Sequence, residues 1–187
     1  MKTGVARVEL DLETYRHELE ARLGRTREVM RDYMLKARRD PRRIVYPEGE
    51  NERIIRAAIR VVEEGIAVPI LLGRERKIRA IAVELGANLE GIEILDPNDA
   101  DDRHERYAEQ LYLRRQRKGM TRAEAFARVR TSTYFACMMV LEGDADGLVA
   151  GQDLSYPETI RPALEVIGTA PGVRHVAGLY MMILRHD

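Results

Sequence analysis

The sequence predicts an α/β fold: a mostly parallel sheet with helices on both faces, preceded by a helical lead-in. Three observations predict it. Short apolar runs of strand length alternate with helix-length amphipathic stretches from Arg43 onward, the pattern of βαβ units. The run Val68-Pro69-Ile70-Leu71-Leu72 is unbroken and apolar, as in a parallel strand buried on both faces. Turn residues punctuate the alternation, at Pro47-Glu48-Gly49, Gly73, Gly86 and Asp96-Pro97.

Taken in order, residues 1–8 read as an extended lead-in. Leu12, Tyr15, Leu19 and Leu23 form one helical stripe ended by Gly24, and a second helix from about Thr26 to Ala37 presents Val29, Met30, Tyr33 and Met34. Both faces are narrow and should pack on a neighbouring domain or subunit. The cluster Arg38-Arg39-Asp40-Pro41-Arg42-Arg43 resembles a nucleic-acid patch but reads better as a helix C-terminus, where the macrodipole favours cations and Pro41 stops the helix.

Arg43-Ile44-Val45-Tyr46 is the first strand. Asn51 caps a helix to Glu64 that Gly65 ends. Val68 to Leu72 is the second strand, followed by a helix from about Glu75 to Leu85. Ile92-Glu93-Ile94-Leu95 is the third. A long helix runs from Asp101 to Lys118, with Tyr107, Ala108, Leu111 and Tyr112 on one face. Arg115 lies on that same face, so it either snorkels to water or reaches a site at the helix end. Thr121 and Glu124 form a capping box, and the next helix, from about Ser132, is apolar all round through Tyr134–Leu141. Cys137 within it reads as a packed thiol rather than a nucleophile, since no nearby cation would lower its pKa.

The stretch from Gly143 to Pro162 then joins a short strand, Leu148-Val149-Ala150, to a helix through a loop carrying Gly151, Asp153, Ser155 and Tyr156. The plain reading is a βα connection with a surface arginine. The functional reading is an anion site: Gly151 lets backbone approach a ligand, the first helical N–H groups point outward, and Arg161 adds a charge able to grip phosphate. Pro162 would disrupt a helix interior, so the regular helix is expected to begin near Thr159. Val173 to Leu184 is expected to contain a further strand. Asp144 and Asp146 read as paired acids, metal ligands or a hydrogen-bonded turn, the turn being the plainest.

The chain has 187 residues, enough for one α/β domain with a real core. Its 31 basic and 31 acidic residues cancel, so no strong field draws nucleic acid. No apolar run has the length of a membrane span, and no secretory signal opens the chain. One cysteine permits no internal disulfide and fits a reducing, cytoplasmic setting. Neither a dinucleotide or P-loop glycine motif, nor a zinc helix motif, nor a nucleophile elbow is present, and the four histidines show no metal spacing, so no metal or bound cofactor is expected.

Several motifs nevertheless resemble one family. Y-P-E-G-E-N-E-R-I-I-R-A-A, V-P-I-L-L-G, Y-L-R-R-Q-R-K-G-M-T at 112–121, Y-F-A-C-M-M-V and G-D-A-D-G-L-V-A-G with T-I-R-P-A-L are similar, in the same order, to the phosphate acetyl/butyryl transferases. The lead-in, D-L-E-T-Y-R-H-E-L-E-A-R-L-G and R-E-V-M-R, resembles the junction before the phosphotransacetylase-like domain of hybrid NADP-dependent malic enzymes.

The resemblance implies a phosphotransacetylase-like, isopropylmalate-dehydrogenase-like fold, with residues 1–40 a junction, 41–150 the first domain and 151–187 the incomplete opening of a second. It implies transfer of acetyl between coenzyme A and phosphate, with Arg115 and Arg161 matching two active-site arginines and Gly151 and Ser155 in the substrate loop. The loop departs from the family's Ser-Gly-Ala-x-His-Ser form, reading Ala150, Gly151, Gln152, Asp153, Leu154, Ser155. The family's catalytic serine, arginine and aspartate are expected beyond this chain, so no catalytic residue is assigned here. Two functions compete. The first, which the lead-in and the altered loop favour, is a regulatory and oligomerisation module of a malic enzyme, partnered by that enzyme's catalytic domain and binding acetyl-CoA or another acyl-CoA. The second is a phosphate acetyltransferase. A homo-oligomer is expected in either case.

Overall fold

Side-chain alternation along the strands decides which of two cores each residue joins. The computed structural model describes residues 30–99 and 102–178. Four strands, β1 (Arg42–Tyr46), β2 (Ala67–Leu72), β3 (Glu93–Leu95) and β4 (Gly147–Leu148), form one parallel sheet in the order β3-β2-β1-β4. Successive residues point to opposite faces. Tyr46 and Leu71 therefore enter one core, with Ile55 and Ala58 of helix α1 (Glu52–Glu63) and Ile78 of α2 (Glu75–Glu84). Val45, Ile70 and Leu72 enter the other, larger core. There they meet Tyr107 and Leu111 of α3 (Asp102–Arg115), Val129 of α4 (Arg122–Val129), Phe135 and Met138 of α5 (Ser132–Glu142) and Val166 of α6 (Tyr156–Val166). A 3₁₀ turn, Gln116–Lys118, follows α3. Helices thus cover both faces of the sheet, as the alternating pattern predicts.

The strand order places the site. From β1 the chain moves outward through β2 to β3, then returns through α3, α4 and α5 to set β4 on the other side of β1. The order reverses between β1 and β4, and open parallel sheets present ligand crevices at the carboxyl ends of the strands flanking such a reversal. The β1–β4 seam is short. Val149 extends it, its N–H donating to the Val45 carbonyl at 3.0 Å. Arg43 fastens its start: the backbone N–H and the guanidinium donate to the Asp146 carboxylate, at 2.8 and 3.1 Å, and the guanidinium also donates to the Gly143 and Asp144 carbonyls. Asp144 in turn accepts from Arg106 and from the Tyr107 hydroxyl. The two aspartates are therefore the turn before a strand.

Two expectations change. Helix α6 begins at Tyr156, ahead of Thr159, because Glu158 accepts from both the backbone N–H and the hydroxyl of Ser155 and so fixes the helix start. Pro157 fits there, since first-turn N–H groups lack intrahelical partners. Pro162 then lies inside the helix; its missing N–H costs roughly 3 kcal/mol relative to alanine, offset by burial of its ring against the core. Residues 173–178 are exposed and carry no strand; the rest of the strand expected to Leu184 lies outside the described residues.

Residues Ala37–Val176 make one compact unit, and Met1–Lys36 with Ala177–Asp187 a second. Within the latter, residues 30–36 are helical, as expected for the second lead-in helix, which continues to residue 39. The expected helix through Leu12 and Leu23 lies outside the described residues. No described helix is long and apolar enough to cross a membrane.

Leu71 is fully buried at the centre of the sheet. Leu71→Ala should lower unfolding free energy by about 2–5 kcal/mol in chemical denaturation.

Candidate functional site

One corner of chain, Pro47–Asn51, follows β1 and reaches three neighbouring elements. Gly49 has no substitute there: a Cβ would sit 2.6 Å from the Leu72 carbonyl oxygen, which already accepts the Gly49 N–H at 3.1 Å. With Gly49 tight against β2, the flanking side chains turn outward. Glu50 accepts from the Arg74 guanidinium at 2.8 Å and from Lys77 Nζ at 2.8 Å, holding the start of α2. These cations, Arg74 foremost, hold its carboxyl down at about 2 against the opposing effect of burial. Asn51 accepts from the Arg53 N–H to cap α1 and donates to Asp153 at 2.7 Å.

Glu48 makes the fourth connection. Its carboxylate accepts four successive backbone N–H groups of the β4–α6 loop: Gly151 and Gln152 at 3.0 Å, Asp153 at 2.7 Å and Leu154 at 3.1 Å. Burial pushes the Glu48 pKa up, but the four N–H groups outweigh it and hold the carboxyl below its ordinary value. Gly151 is needed in this loop because its φ is +106°, a conformation that side-chain-bearing residues rarely adopt. The Gly151 loop, expected to receive a ligand anion, turns these N–H groups toward the chain's own Glu48. Ser155 is likewise engaged, with Glu158. Around this corner, at the carboxyl ends of β1, β2 and β3, lies a polar cleft of about 670 Å³ lined in part by Glu48, Asp96, Thr133 and Leu154.

Of the two candidate arginines, Arg115 contacts a residue that the sequence did not single out, and Arg161 lies one helical turn before it. Glu165 sits one helical turn after Arg161 on α6, and both line a hollow of about 370 Å³ with Arg128 and Tyr134. Arg115, at the end of α3, brings its guanidinium within 3.7 Å of Glu165. Its side chain is only 20% exposed, so it does not snorkel to water; its Nε is buried and meets no acceptor among the described residues. Arg128 and the Tyr134 hydroxyl both donate to Glu165 Oε2, at 2.5 and 2.6 Å, and Arg128 also donates to Tyr134 and Glu124. Burial and the Glu165 carboxylate push the Tyr134 pKa up to about 12. Arg161 is exposed, and no described residue pairs with it. The cluster thus holds one partly satisfied guanidinium, Arg115, against a single carboxylate, with the exposed Arg161 one turn away on α6. Glu48 and Glu165 carried no sequence signal beyond an acid after a proline and an acid at i+4 from an arginine.

Cys137 is fully buried, and burial pushes its thiol up to about 12, so it is a core residue without nucleophilic character. Among the described residues no group of three or more His, Cys, Asp or Glu is arranged to hold a metal.

Glu48, Glu50, Asp146 and Glu158 are all held below their ordinary values. Depressed carboxylates give stability that is complete above the unfolded-state pKa, 4.5 for Glu50, and is lost as pH falls through the folded-state value, about 2 there. The melting temperature should therefore hold near neutrality and fall progressively below about pH 5, and Glu50→Gln should flatten that fall.

Known proteins give the setting. The phosphate acetyl/butaryl transferase family matches residues 28–187. The phosphate acetyltransferase of Clostridium acetobutylicum is 39% identical over 148 residues, 79% of this chain and 44% of that protein. That of Helicobacter pylori is 42% identical over 149 residues, 80% of this chain and 28% of that protein. Among solved structures, the EutD phosphotransacetylase from Staphylococcus aureus aligns with a TM-score of 0.69 at 33% identity, covering 78% of this chain and 45% of that one. A phosphotransacetylase from Streptococcus pyogenes aligns with a TM-score of 0.68 at 34% identity, with the same coverage. The chain spans less than half the length of these relatives. None of them is a malic enzyme, and the lead-in that resembled one lies, through residue 29, outside the described residues, so that narrower parentage draws no support. By its sequence and its fold, the chain belongs to the phosphate acetyl/butaryl transferase family.

Proposed function

We propose that this chain forms one wall of a site that moves an acyl group, acetyl in the first instance, between coenzyme A and phosphate. The observation that carries the proposal is that Arg115 reaches Glu165 of α6 with its Nε unsatisfied, while Arg161, exposed and one helical turn before Glu165, lines an open hollow. In the forward sense the coenzyme A thiolate attacks the carbonyl carbon of acetyl phosphate. The C–S bond forms, the C–O bond to phosphate breaks, and phosphate leaves with the electron pair. Negative charge develops first on the carbonyl oxygen and then on the leaving phosphate, and fixed cations lower the energy of both. Arg161, open to solvent, suits a phosphate that arrives from solution, because a guanidinium offers two parallel N–H donors to its oxygens. Arg115, with Nε unsatisfied, gains a hydrogen bond by turning to the same anion, so the loss of its long contact with Glu165 is offset.

The named relatives are phosphate acetyltransferases, which supports this reading over the regulatory module of a malic enzyme. Coenzyme A and acetyl phosphate are then substrates, and nothing in the reading calls for a metal or a resident cofactor.

Calorimetric titration with coenzyme A and with acetyl phosphate tests the proposal. Arg161→Ala and Arg115→Ala should each weaken binding by about tenfold or more, about 1.4 kcal/mol. Variants that bind as the wild type does would remove both arginines from the site.

A further inference from the structure

Glu48 takes no part in the chemistry proposed above, yet it fills a backbone feature at the sheet reversal that suits an anion. Four consecutive N–H groups directed at one carboxylate, two to each oxygen, make an anion-binding concavity, the arrangement proteins use for phosphate. Here the anion is covalently attached to the end of β1. A second anion entering the same concavity would meet the Glu48 charge at contact distance, so a ligand phosphate is excluded from the loop and left to the arginines. The loop so held runs directly into Ser155 and α6, and Asn51 adds a second hold at Asp153. Residues from Gly151 to the start of α6 therefore have their position set from β1.

We infer that Glu48 is a positioning residue: it acts as an internal anion that locks the β4–α6 loop and thereby fixes where α6 presents Arg161 to the ligand. The inference rests on the reading of Arg161 as a ligand-binding residue, but its first half, the lock, stands on geometry alone. The chemistry is specific to a carboxylate. A glutamine at this position keeps one acceptor oxygen and turns an N–H₂ group toward two N–H donors, so it loses two bonds and adds a donor–donor conflict. Removal of the side chain leaves an empty concavity that a small free carboxylate fits.

Amide hydrogen exchange on the wild type and on Glu48→Ala, with and without added formate, tests the lock. Amides of residues 151–154 should exchange at least about tenfold faster in Glu48→Ala, and formate should restore their protection in a saturable way. Unchanged exchange, or exchange indifferent to formate, overturns the inference. If Glu48→Ala does not fold, Glu48→Asp takes its place: the carboxylate set back by one methylene should protect the four amides only in part, and full protection counts against the lock.

Coenzyme A titration tests the positioning. Affinity should fall in Glu48→Ala and recover with formate, and in an Arg161→Ala background Glu48→Ala should cost no further affinity. Additive losses would assign Glu48 a general structural role and overturn its action through Arg161. A wild-type chain that binds no coenzyme A overturns the ligand reading of Arg161 and the positioning with it, whereas the exchange result decides the lock on its own.

Discussion

A single carboxylate ties together the two sides of the sheet reversal. Glu48 stands at the end of β1, and the loop it holds follows β4, more than a hundred residues later in the chain. The β1–β4 seam is a short ladder, and such a ladder does not by itself fix the long loop beyond it. Without Glu48, four adjacent N–H groups would face one another's positive ends across the loop, a geometry favourable only around an anion. The rest of the corner depends on the same arrangement. Gly49 must lie against β2 for Glu48 to point toward β4, and Glu50 and Asn51 then fall where they hold α2 and α1.

The second cluster uses the opposite logic. Around Glu165, two arginines and a tyrosine compete for one partly buried carboxylate, and the pairing is uneven. Arg128 is well satisfied, with Glu165, Tyr134 and Glu124 as acceptors. Arg115 makes one long contact and leaves Nε without an acceptor among the described residues. Removing the Glu165 carboxylate would leave partly buried positive charge uncompensated, the costly way to break such a network. The fold thus leaves Arg161 exposed and Arg115 with one long contact and an unsatisfied Nε, the state that the proposed reception of a ligand's oxygens requires.

Most of the architecture was legible because its signals are local. Strand-length apolar runs gave β1, β2 and β3; Asn51 capped its helix as its residue type indicates; Cys137 proved to be core, as its apolar surroundings implied. What the sequence did not reveal came from long-range or competing effects. The helix at Tyr156 begins before the residue that Pro162 suggested, because a Ser155–Glu158 cap and core burial outweigh one lost backbone bond. The loop at Gly151 was recognisable as an anion-competent loop, but its occupant lies in the turn after another strand. Arg115 on an apolar face had two readings, and only the packing of α6 against α3 supplied the carboxylate that turns it inward. The spacing of Arg161 and Glu165 on one helical face was open to inspection, but spacing alone does not say which arginines the carboxylate meets, and these are Arg128 and Arg115.

The central claim is that ligand anions are received by the guanidinium groups and not by the loop amides. The most direct measurement is a nuclear magnetic resonance titration of the chain with coenzyme A that follows arginine Nε–Hε signals and backbone amides together. The account predicts that the Arg115 and Arg161 side-chain signals shift with a common saturation, while the amides of residues 151–154 shift little because Glu48 keeps them. Large, saturable shifts of those four amides, with the arginine signals unmoved, would contradict it.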